Sequence, residues 1–342
     1  MSRTRTVLAA PALTALALAA VLTGCGSAGP DAGAASPAGT ASSAGTTGSA
    51  APAAPVELDN CGTTVTVPAS PPERIVAIKS SSLELLLALG AGDRIVGSAF
   101  LDGPVPADLE HAAAGIPVIS DKLPSQEAVL DLEPDLVFAG WESNFSADGA
   151  GERATLHGLD VTTYVSPAAC KAPGYMPNPL TFDDVFASFA EAGLLVGAED
   201  AAAALAEEQR ALLDGLAADP RGLTAVWYSS GRDQPYVGAG IGAPAMIMEA
   251  AGLTNLFGDV EDTWTSTSWE EVADRDPSVL VLVDSAWNSA ASKIELLREN
   301  PVTATLPAVI EERFVIVDFP ASEAGIRNVD AVATIIGQLG GL

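Results

Sequence analysis

Hydrophobic residues along the chain form short continuous runs that alternate with stretches of helical spacing. Residues 74–78 are an apolar run typical of a buried strand, and residues 80–89 continue as a serine-capped helix with leucines on one face. Ser125 begins another helix. Further apolar runs predict strands at residues 95–96, 118–119 and 135–139. Strands that alternate with helices predict an α/β fold with mostly parallel sheets.

One segment of the first half recurs in the second half. Residues 125–138 and 268–281 align without gaps, and both begin with Ser, carry Glu two residues later and place Pro after an acidic residue. Each copy has the pattern of a helix, a proline turn and a hydrophobic strand. The repeat predicts two lobes of related architecture, each with a central sheet flanked by helices.

A helical pattern lies between the two copies. Thr181 is a candidate N-cap, and the apolar residues that follow it recur at helical spacing as far as Val196. We therefore predict an N-terminal lobe at residues 56–180, an inter-lobe helix at 181–198 and a C-terminal lobe at 199–342. A single helical crossing predicts a stiffer pair of lobes than several flexible strands would.

The N-terminus has the pattern of a secretion signal. Arg3 and Arg5 precede an apolar run at residues 7–22, which is shorter than the ~20 residues a spanning helix needs, and small residues precede Cys25. Residues 1–24 resemble a bacterial lipoprotein signal peptide, which implies cleavage before Cys25 and lipidation of its sulfur. An ordinary secreted protein with a chance cysteine is the alternative.

Residues 25–55 are almost wholly Ala, Gly, Ser, Thr and Pro. Such a segment buries too little apolar surface to offset the entropy of ordering, so we expect a flexible tether. A tether after a lipidated cysteine would hold the remaining domain at the extracytoplasmic face of the membrane.

The net charge excludes one class of function, and the cysteines and histidines indicate which covalent and metal chemistry to expect. The formal net charge of -28 excludes a nucleic-acid-binding role, because nothing could neutralise a row of phosphates. The even pair Cys61 and Cys170 favours a disulfide in an oxidising compartment, with two buried free thiols as the alternative. A metal site is not expected, since these cysteines lack CxxC spacing and the only histidines are His111 and His157.

Four short motifs and the dipeptide Leu89-Gly90, in their order and spacing, resemble the class III periplasmic solute-binding proteins that serve cobalamin, haem and ferric-siderophore importers. The motifs are Pro-Glu-Arg-Ile-Val at residues 72–76, Ser-Leu-Glu-Leu-Leu at 82–86, Leu-Glu-Pro-Asp-Leu-Val at 132–137 and the matching Asp-Pro at 276–277. The resemblance covers residues 56–342. It implies a small-molecule ligand and, as partner, an ABC permease dimer with its ATPase subunits.

The same resemblance assigns a role to two glutamates. Family members dock a glutamate of each lobe against permease arginines, and the matching positions are Glu127 and Glu270 in the repeated segment. A carboxylate in the first turn also favours the helix dipole, which is the alternative explanation.

We expect the ligand in the cleft between the lobes, at loops that follow the strand ends. Aromatic faces there suit planar rings, and basic side chains with helix N-terminal serines suit an anion. The candidates are Lys79, Ser80, Ser81, Lys122, Trp141, Tyr228, Trp264, Trp287 and Arg327. Each tryptophan could instead fill the core, and Arg327 could instead pair with a neighbouring acid.

A narrower resemblance points to one ligand. Residues 141–146, 166–171 and 320–330 resemble an actinobacterial subgroup described as coenzyme F-420-0 transporters, which implies a planar, anionic ligand. A ferric siderophore or cobalamin stays open, as does haem. Haem could be ligated by Tyr164, Tyr228 or Tyr236.

An enzyme is not expected. The sequence has no GxSxG elbow and no phosphate-binding glycine loop after a strand, and neither histidine lies in a motif that would present it to a nucleophile. We therefore predict a monomeric binding protein without a cofactor. A secreted hydrolase is the remote alternative, and a structural surface lipoprotein without a saturable ligand is the other.

Overall fold

The computed structural model describes residues 55–342. The predicted signal peptide, Cys25 and all but the last residue of the predicted tether lie outside this range. No helix among the described residues is long and apolar enough to cross a membrane.

The N-terminal lobe contains a hairpin followed by a five-stranded sheet. Strands β1 (Glu57–Asn60) and β2 (Thr63–Thr66) pair antiparallel. The sheet strands are β3 (Ile75–Ile78), β4 (Ile95–Ala99), β5 (Val118–Ser120), β6 (Leu136–Ala139) and β7 (Thr162–Val165). The helices between them are α1 (Ser80–Ala88), α2 (Glu110–Ala113), α3 (Gln126–Leu130) and α4 (Arg153–His157). All sheet pairs are parallel, in the order β5-β4-β3-β6-β7.

This strand order places a crevice at the centre of the N-terminal sheet. The chain moves outward from β3 to β4 and β5, and then returns to the other side of β3 for β6 and β7. The connections after β3 and β6 therefore leave in opposite directions, and the loops at their carboxyl ends are free to line a ligand site. Those loops begin at Lys79 and Gly140.

Two antiparallel helices follow the N-terminal sheet. Helix α5 (Phe182–Val196) begins after Thr181, whose side chain accepts a hydrogen bond from Asp184 N at 3.2 Å, as the capping pattern predicts. Helix α6 (Glu199–Asp214) comes directly after it. Phe186 and Phe189 of α5 are buried in the main hydrophobic core.

The C-terminal lobe is built on a second, mostly parallel sheet. Its strands are β8 (Thr224–Ser230), β9 (Tyr236–Gly238), β10 (Thr254–Asn255), β11 (Trp264–Ser266), β12 (Val279–Asp284) and β13 (Phe314–Asp318). Its helices are α7 (Ala243–Ala250), α8 (Trp269–Asp274), α9 (Ala290–Glu299), α10 (Pro307–Ile310) and α11 (Asn328–Leu339). The strand order is β11-β9-β8-β12-β13, with β10 beside β8. Strands β8, β10, β12 and β13 pair parallel, and β9 pairs antiparallel with both β8 and β11.

The repeated sequence segments adopt the same local structure. Ser125 caps α3 by accepting from Ala128 N at 3.2 Å, and Ser268 caps α8 by accepting from Glu271 N at 3.1 Å. Each helix leads through its proline turn into a buried strand, β6 or β12. The predicted fold class, two α/β lobes with mostly parallel sheets, is confirmed. The predicted boundaries at residues 180 and 199 fall between the two sheets and stay predictions.

Cys61 and Cys170 form a disulfide in the structure. The bond joins the turn of the β1–β2 hairpin to the loop after β7, and closes a chain separation of 109 residues. Both residues are buried, and they pack around Val165 of β7. The loop that continues from Cys170 is thereby fixed to the N-terminal lobe.

Candidate functional site

A cleft of about 460 Å³ lies between the two lobes, at the carboxyl ends of β3, β6 and β8. Its walls are rich in hydroxyl groups and aromatic rings, with three charged side chains. From the N-terminal lobe it is lined by Ser81, Gly140, Trp141, Glu142, Ser143, Ser166, Ala168, Ala169 and Lys171. From the C-terminal lobe it is lined by Ser229, Ser230, Tyr236, Ala243, Thr263, Trp264, Trp287, Phe319, Ser322, Glu323 and Ala324.

Aromatic rings stand on both sides of the cleft. Trp264 stacks on Tyr236, with ring centroids 5.6 Å apart and an interplanar angle of 14°. Trp287 meets Phe319 edge to face at 5.8 Å and is 62% exposed. Trp141 faces them from the N-terminal lobe. Such surfaces suit a ligand with flat, partly apolar rings.

Lys79 lies beneath the cleft and does not line it. Its side chain is fully buried and forms an ion pair with Asp102. The Lys79 Nζ atom also lies 3.7 Å from the Trp141 ring centroid, a cation–π contact. The structure therefore does not bring Lys79 to the cleft, because Asp102 and Trp141 enclose its charge, and its contact with a ligand anion stays a prediction.

Lys79 also has an unusual backbone. At φ 83° and ψ 150° it occupies a region that favours glycine, immediately before α1. Gly140 approaches it so closely that a Cβ at position 140 would lie 2.8 Å from Lys79 Cβ. Close packing of the loops after β3 and β6 thus holds Lys79 beneath Trp141.

The serines after Lys79 have different positions. Ser80 is buried, and its Oγ atom accepts a hydrogen bond from Asp102 N at 2.8 Å. Only Ser81 lines the cleft. Helix α1 begins at Ser80, so the serines lie in its first turn and Lys79 occupies the N-cap position, which corrects the predicted serine cap.

Arg327 contacts an acid rather than the cleft. Its Nε atom donates to Glu84 Oε2 at 2.8 Å, and its Nη2 atom donates to Pro104 O at 2.6 Å. The ion pair joins the C-terminal lobe to α1 of the N-terminal lobe. The alternative of an intramolecular pair describes what is seen, and the contact of Arg327 with a ligand stays a prediction.

Lys122 and Tyr228 also lie outside the cleft lining. Lys122 is exposed beyond the end of β5. Tyr228 is 2% exposed, packs edge to face against Trp269, and donates from its hydroxyl to Gly231 O at 2.6 Å. Successive side chains of a strand point to opposite faces, and Tyr228 lies on the face of β8 that packs against α8.

Lys171 was missed by the sequence-based candidates, although among residues 55–342 it is the only basic side chain lining the cleft. Its Nζ atom donates to Asp262 Oδ1 at 2.9 Å and to Thr263 Oγ1 at 2.7 Å, both on the opposite lobe. Its backbone N donates to Glu142 Oε2 at 2.5 Å. Its position directly after Cys170 was the available signal, because a disulfide there fixes the following residue.

Glu323 was also missed. It follows β13 and reaches across to the N-terminal lobe, where its Oε2 atom accepts from Trp141 Nε1 at 2.7 Å. Burial raises the pKa of the Glu323 carboxyl, while the charge of Lys79 and the Trp141 hydrogen bond oppose that rise. The sequence offered only its place in the loop after the last strand.

Glu127 and Glu270 occupy equivalent, exposed positions. Each lies in the first turn of its helix, α3 or α8, two residues after the capping serine. The structure thus places one exposed carboxylate on each lobe at matching sites, and their docking role stays a prediction.

The tyrosines considered for haem differ in access. Tyr164 is fully buried and donates to Glu191, and Tyr228 is buried against α8. Tyr236 alone lines the cleft. Within residues 55–342 no group of three or more His, Cys, Asp and Glu side chains is arranged to hold a metal ion.

A family model described as "Periplasmic binding protein" matches residues 75–321. Among curated proteins, the chain is 28% identical to a vitamin B12-binding protein of Yersinia pestis over 227 residues, which cover 64% of this chain and 72% of the relative.

Solved structures share the fold. The chain superimposes on a periplasmic binding protein from Veillonella parvula with TM-score 0.74 and 24% identity, covering 84% of this chain and 98% of that one. It matches an ABC-type Fe3+-hydroxamate transport system structure from Saccharomonospora viridis with TM-score 0.71 and 26% identity, covering 84% and 99%.

Proposed function

Because the chain belongs to the periplasmic binding protein family and is thus a substrate-binding protein of an ABC transporter, we propose that its inter-lobe cleft captures a ring-bearing small molecule for delivery to the permease. The observation that carries this proposal is the cleft itself, which has aromatic rings on both lobes and hydroxyl groups between them. Its volume of about 460 Å³ is that of a typical small-ligand site. The family implies an extracytoplasmic location, and its members bind solutes rather than catalyse reactions.

The charge of the cleft favours a ferric hydroxamate as ligand. Glu142 and Glu323 contribute two carboxylates, whereas Lys171 contributes one cation that Asp262 already neutralises in part. A neutral or cationic complex is compatible with this balance, and a polyanion is repelled. The Saccharomonospora viridis structure, named for an Fe3+-hydroxamate transport system, supports the same class.

Coenzyme F-420-0 is the second candidate, and the stacked Tyr236 and Trp264 rings favour it. A planar deazaflavin would lie against such a surface. Its phosphodiester and carboxylate, however, would meet only Lys171, because Lys79 and Arg327 are occupied by Asp102 and Glu84. The cleft therefore offers little positive charge for the anionic ligand that the narrower sequence resemblance implies.

A thermal-shift panel tests the ligand class. The purified protein is heated with a ferric trihydroxamate, coenzyme F-420-0, haem or cobalamin, since a ligand that binds only the native state raises the midpoint. We expect the trihydroxamate to give the largest shift, followed by calorimetry for affinity. A shift with F-420-0 alone would reverse the order of the two candidates, and no shift with any of the four would overturn the ligand proposal.

We further propose that the protein is a monomer tethered through lipid on Cys25, and that Glu127 and Glu270 dock against permease arginines. Glu127→Ala with Glu270→Ala should abolish uptake in cells while ligand affinity is unchanged. The matched control is Glu207→Ala with Glu208→Ala, which removes two exposed glutamates from α6. Normal uptake by the Glu127 and Glu270 variant would contradict the docking role.

A further inference from the structure

Glu323 is a carboxylate of the cleft that lacks a partner of opposite charge, and it differs from Glu142, whose Oε2 atom accepts from the backbone N of Lys171 within its own lobe. Its Oε2 atom accepts from the neutral Trp141 Nε1–H group, and within residues 55–342 it forms no salt bridge and no hydrogen bond through Oε1. The two nearby lysines are committed elsewhere, Lys79 to Asp102 and Lys171 to Asp262. A carboxylate partly removed from water without a counter-charge costs folding free energy, so its retention calls for another benefit.

The loop that carries Glu323 is held in place. Asn328 is fully buried, and its Nδ2 atom donates to Glu323 O at 2.7 Å and to Ala321 O at 3.1 Å. Gly325 N donates to Asn328 Oδ1 at 2.9 Å. Together with the Trp141 hydrogen bond, these contacts orient the carboxylate before any ligand arrives, which lowers the entropic cost of using it.

Resting on the proposed function, we infer that Glu323 is the specificity-determining residue of the cleft and binds a cationic group, such as a primary ammonium, on the ligand. The cation would supply the charge that Lys79 and Lys171 do not. A ligand ending in a carboxylate would place two like charges together in a partly desolvated site and be rejected.

The test uses three ferric trihydroxamates that share one linear chelating chain and differ only at its end, which is a primary ammonium, its N-acetyl form or its N-succinyl form. Calorimetry on the purified protein should give the order ammonium, acetyl, succinyl, with the first step roughly tenfold or more, as expected for a charged hydrogen bond. Glu323→Gln keeps an acceptor for Trp141 and removes the charge, so it should shrink that step to within roughly threefold.

Glu312→Gln is the matched control, because Glu312 is an exposed glutamate that pairs with Arg298 away from the cleft. It should preserve the full discrimination. Equal affinity of the wild-type protein for the ammonium and acetyl complexes, or unchanged discrimination in Glu323→Gln, would overturn the inference and leave the proposed function standing. Failure of all three complexes to bind would overturn the hydroxamate class and the inference together.

A second readout separates recognition from a structural role. Burial raises the pKa of Glu323, so its ionised form is disfavoured in the folded state relative to the unfolded state at neutral pH. Removing the charge should therefore raise or preserve the ligand-free melting temperature while discrimination is lost. A clear fall in that temperature would identify Glu323 as a structural residue and contradict the inference.

Discussion

Among residues 55–342, two salt bridges join the lobes, and they differ in burial. The Arg327 and Glu84 side chains are 15% and 1% exposed, whereas those of Lys171 and Asp262 are 54% and 46% exposed. Breaking the Arg327–Glu84 pair would leave a charge buried away from water, whereas breaking the Lys171–Asp262 pair would leave both charges hydrated. We therefore expect the buried Arg327–Glu84 pair to stabilise the packing of the lobes. We expect the exposed Lys171–Asp262 pair, which lies beside the ligand site, to break and form easily.

Removing the disulfide should give the largest change in stability, because the bond closes a long loop. The bond also anchors the loop that carries the exposed Lys171–Asp262 contact. Cys61→Ala with Cys170→Ala opens a loop of 109 residues, and a chain-entropy estimate gives a loss of about 5 kcal/mol in the free energy of unfolding. Urea denaturation measures it. Hydrogen exchange should also rise in the loop after β7, which carries Lys171, and remain slow around Arg327. Unchanged stability would contradict the stabilising role of the disulfide. Faster exchange at both contacts would show that the bond does not anchor the Lys171 loop selectively.

Loss of the buried Arg327–Glu84 ion pair should give the second largest change in the free energy of unfolding. Arg327→Ala leaves the Glu84 carboxylate buried without its cation and should lower the free energy of unfolding by about 3 kcal/mol. Arg298→Ala is the control, since Arg298 pairs with Glu312 at an exposed site and should cost less than about 1 kcal/mol.

Replacing both buried partners distinguishes charge from shape. The double variant Glu84→Leu with Arg327→Met removes the ion pair while keeping apolar volume, and should recover most of the stability lost by Arg327→Ala. Equal losses for Arg327→Ala and Arg298→Ala in urea denaturation would show that burial does not separate the two kinds of contact.

The sequence was sufficient to predict the fold and four of the residues that line the cleft. Alternating runs and the repeat of residues 125–138 at 268–281 predict both sheets, because periodicity and capping act locally. Ser81, Trp141, Trp264 and Trp287 do line the cleft, since strand ends of open α/β sheets converge there.

The charged side of the site was harder to predict, because partners come together only in the folded chain. Glu84 lies 243 residues from Arg327, and Asp102 lies 23 residues from Lys79. With 44 acidic and 16 basic residues, scarce cations are more readily neutralised by the protein than left for a ligand. In so acidic a chain, a basic residue near the cleft is therefore expected to pair within the protein, as Lys79 and Arg327 do.

The exposed contact gives the smallest effect. Lys171→Met should change the free energy of unfolding by less than about 1 kcal/mol, because both charges remain in water and salt screens them. Ligand release should nevertheless become roughly two- to fivefold faster, since the contact joins the lobes across the cleft. Stopped-flow tryptophan fluorescence measures that rate. Arg210→Met, which removes an exposed pair with Asp183 away from the cleft, should leave the release rate unchanged. If both variants release ligand at the wild-type rate, Lys171 does not hold the cleft closed, and the two contacts differ in stability alone.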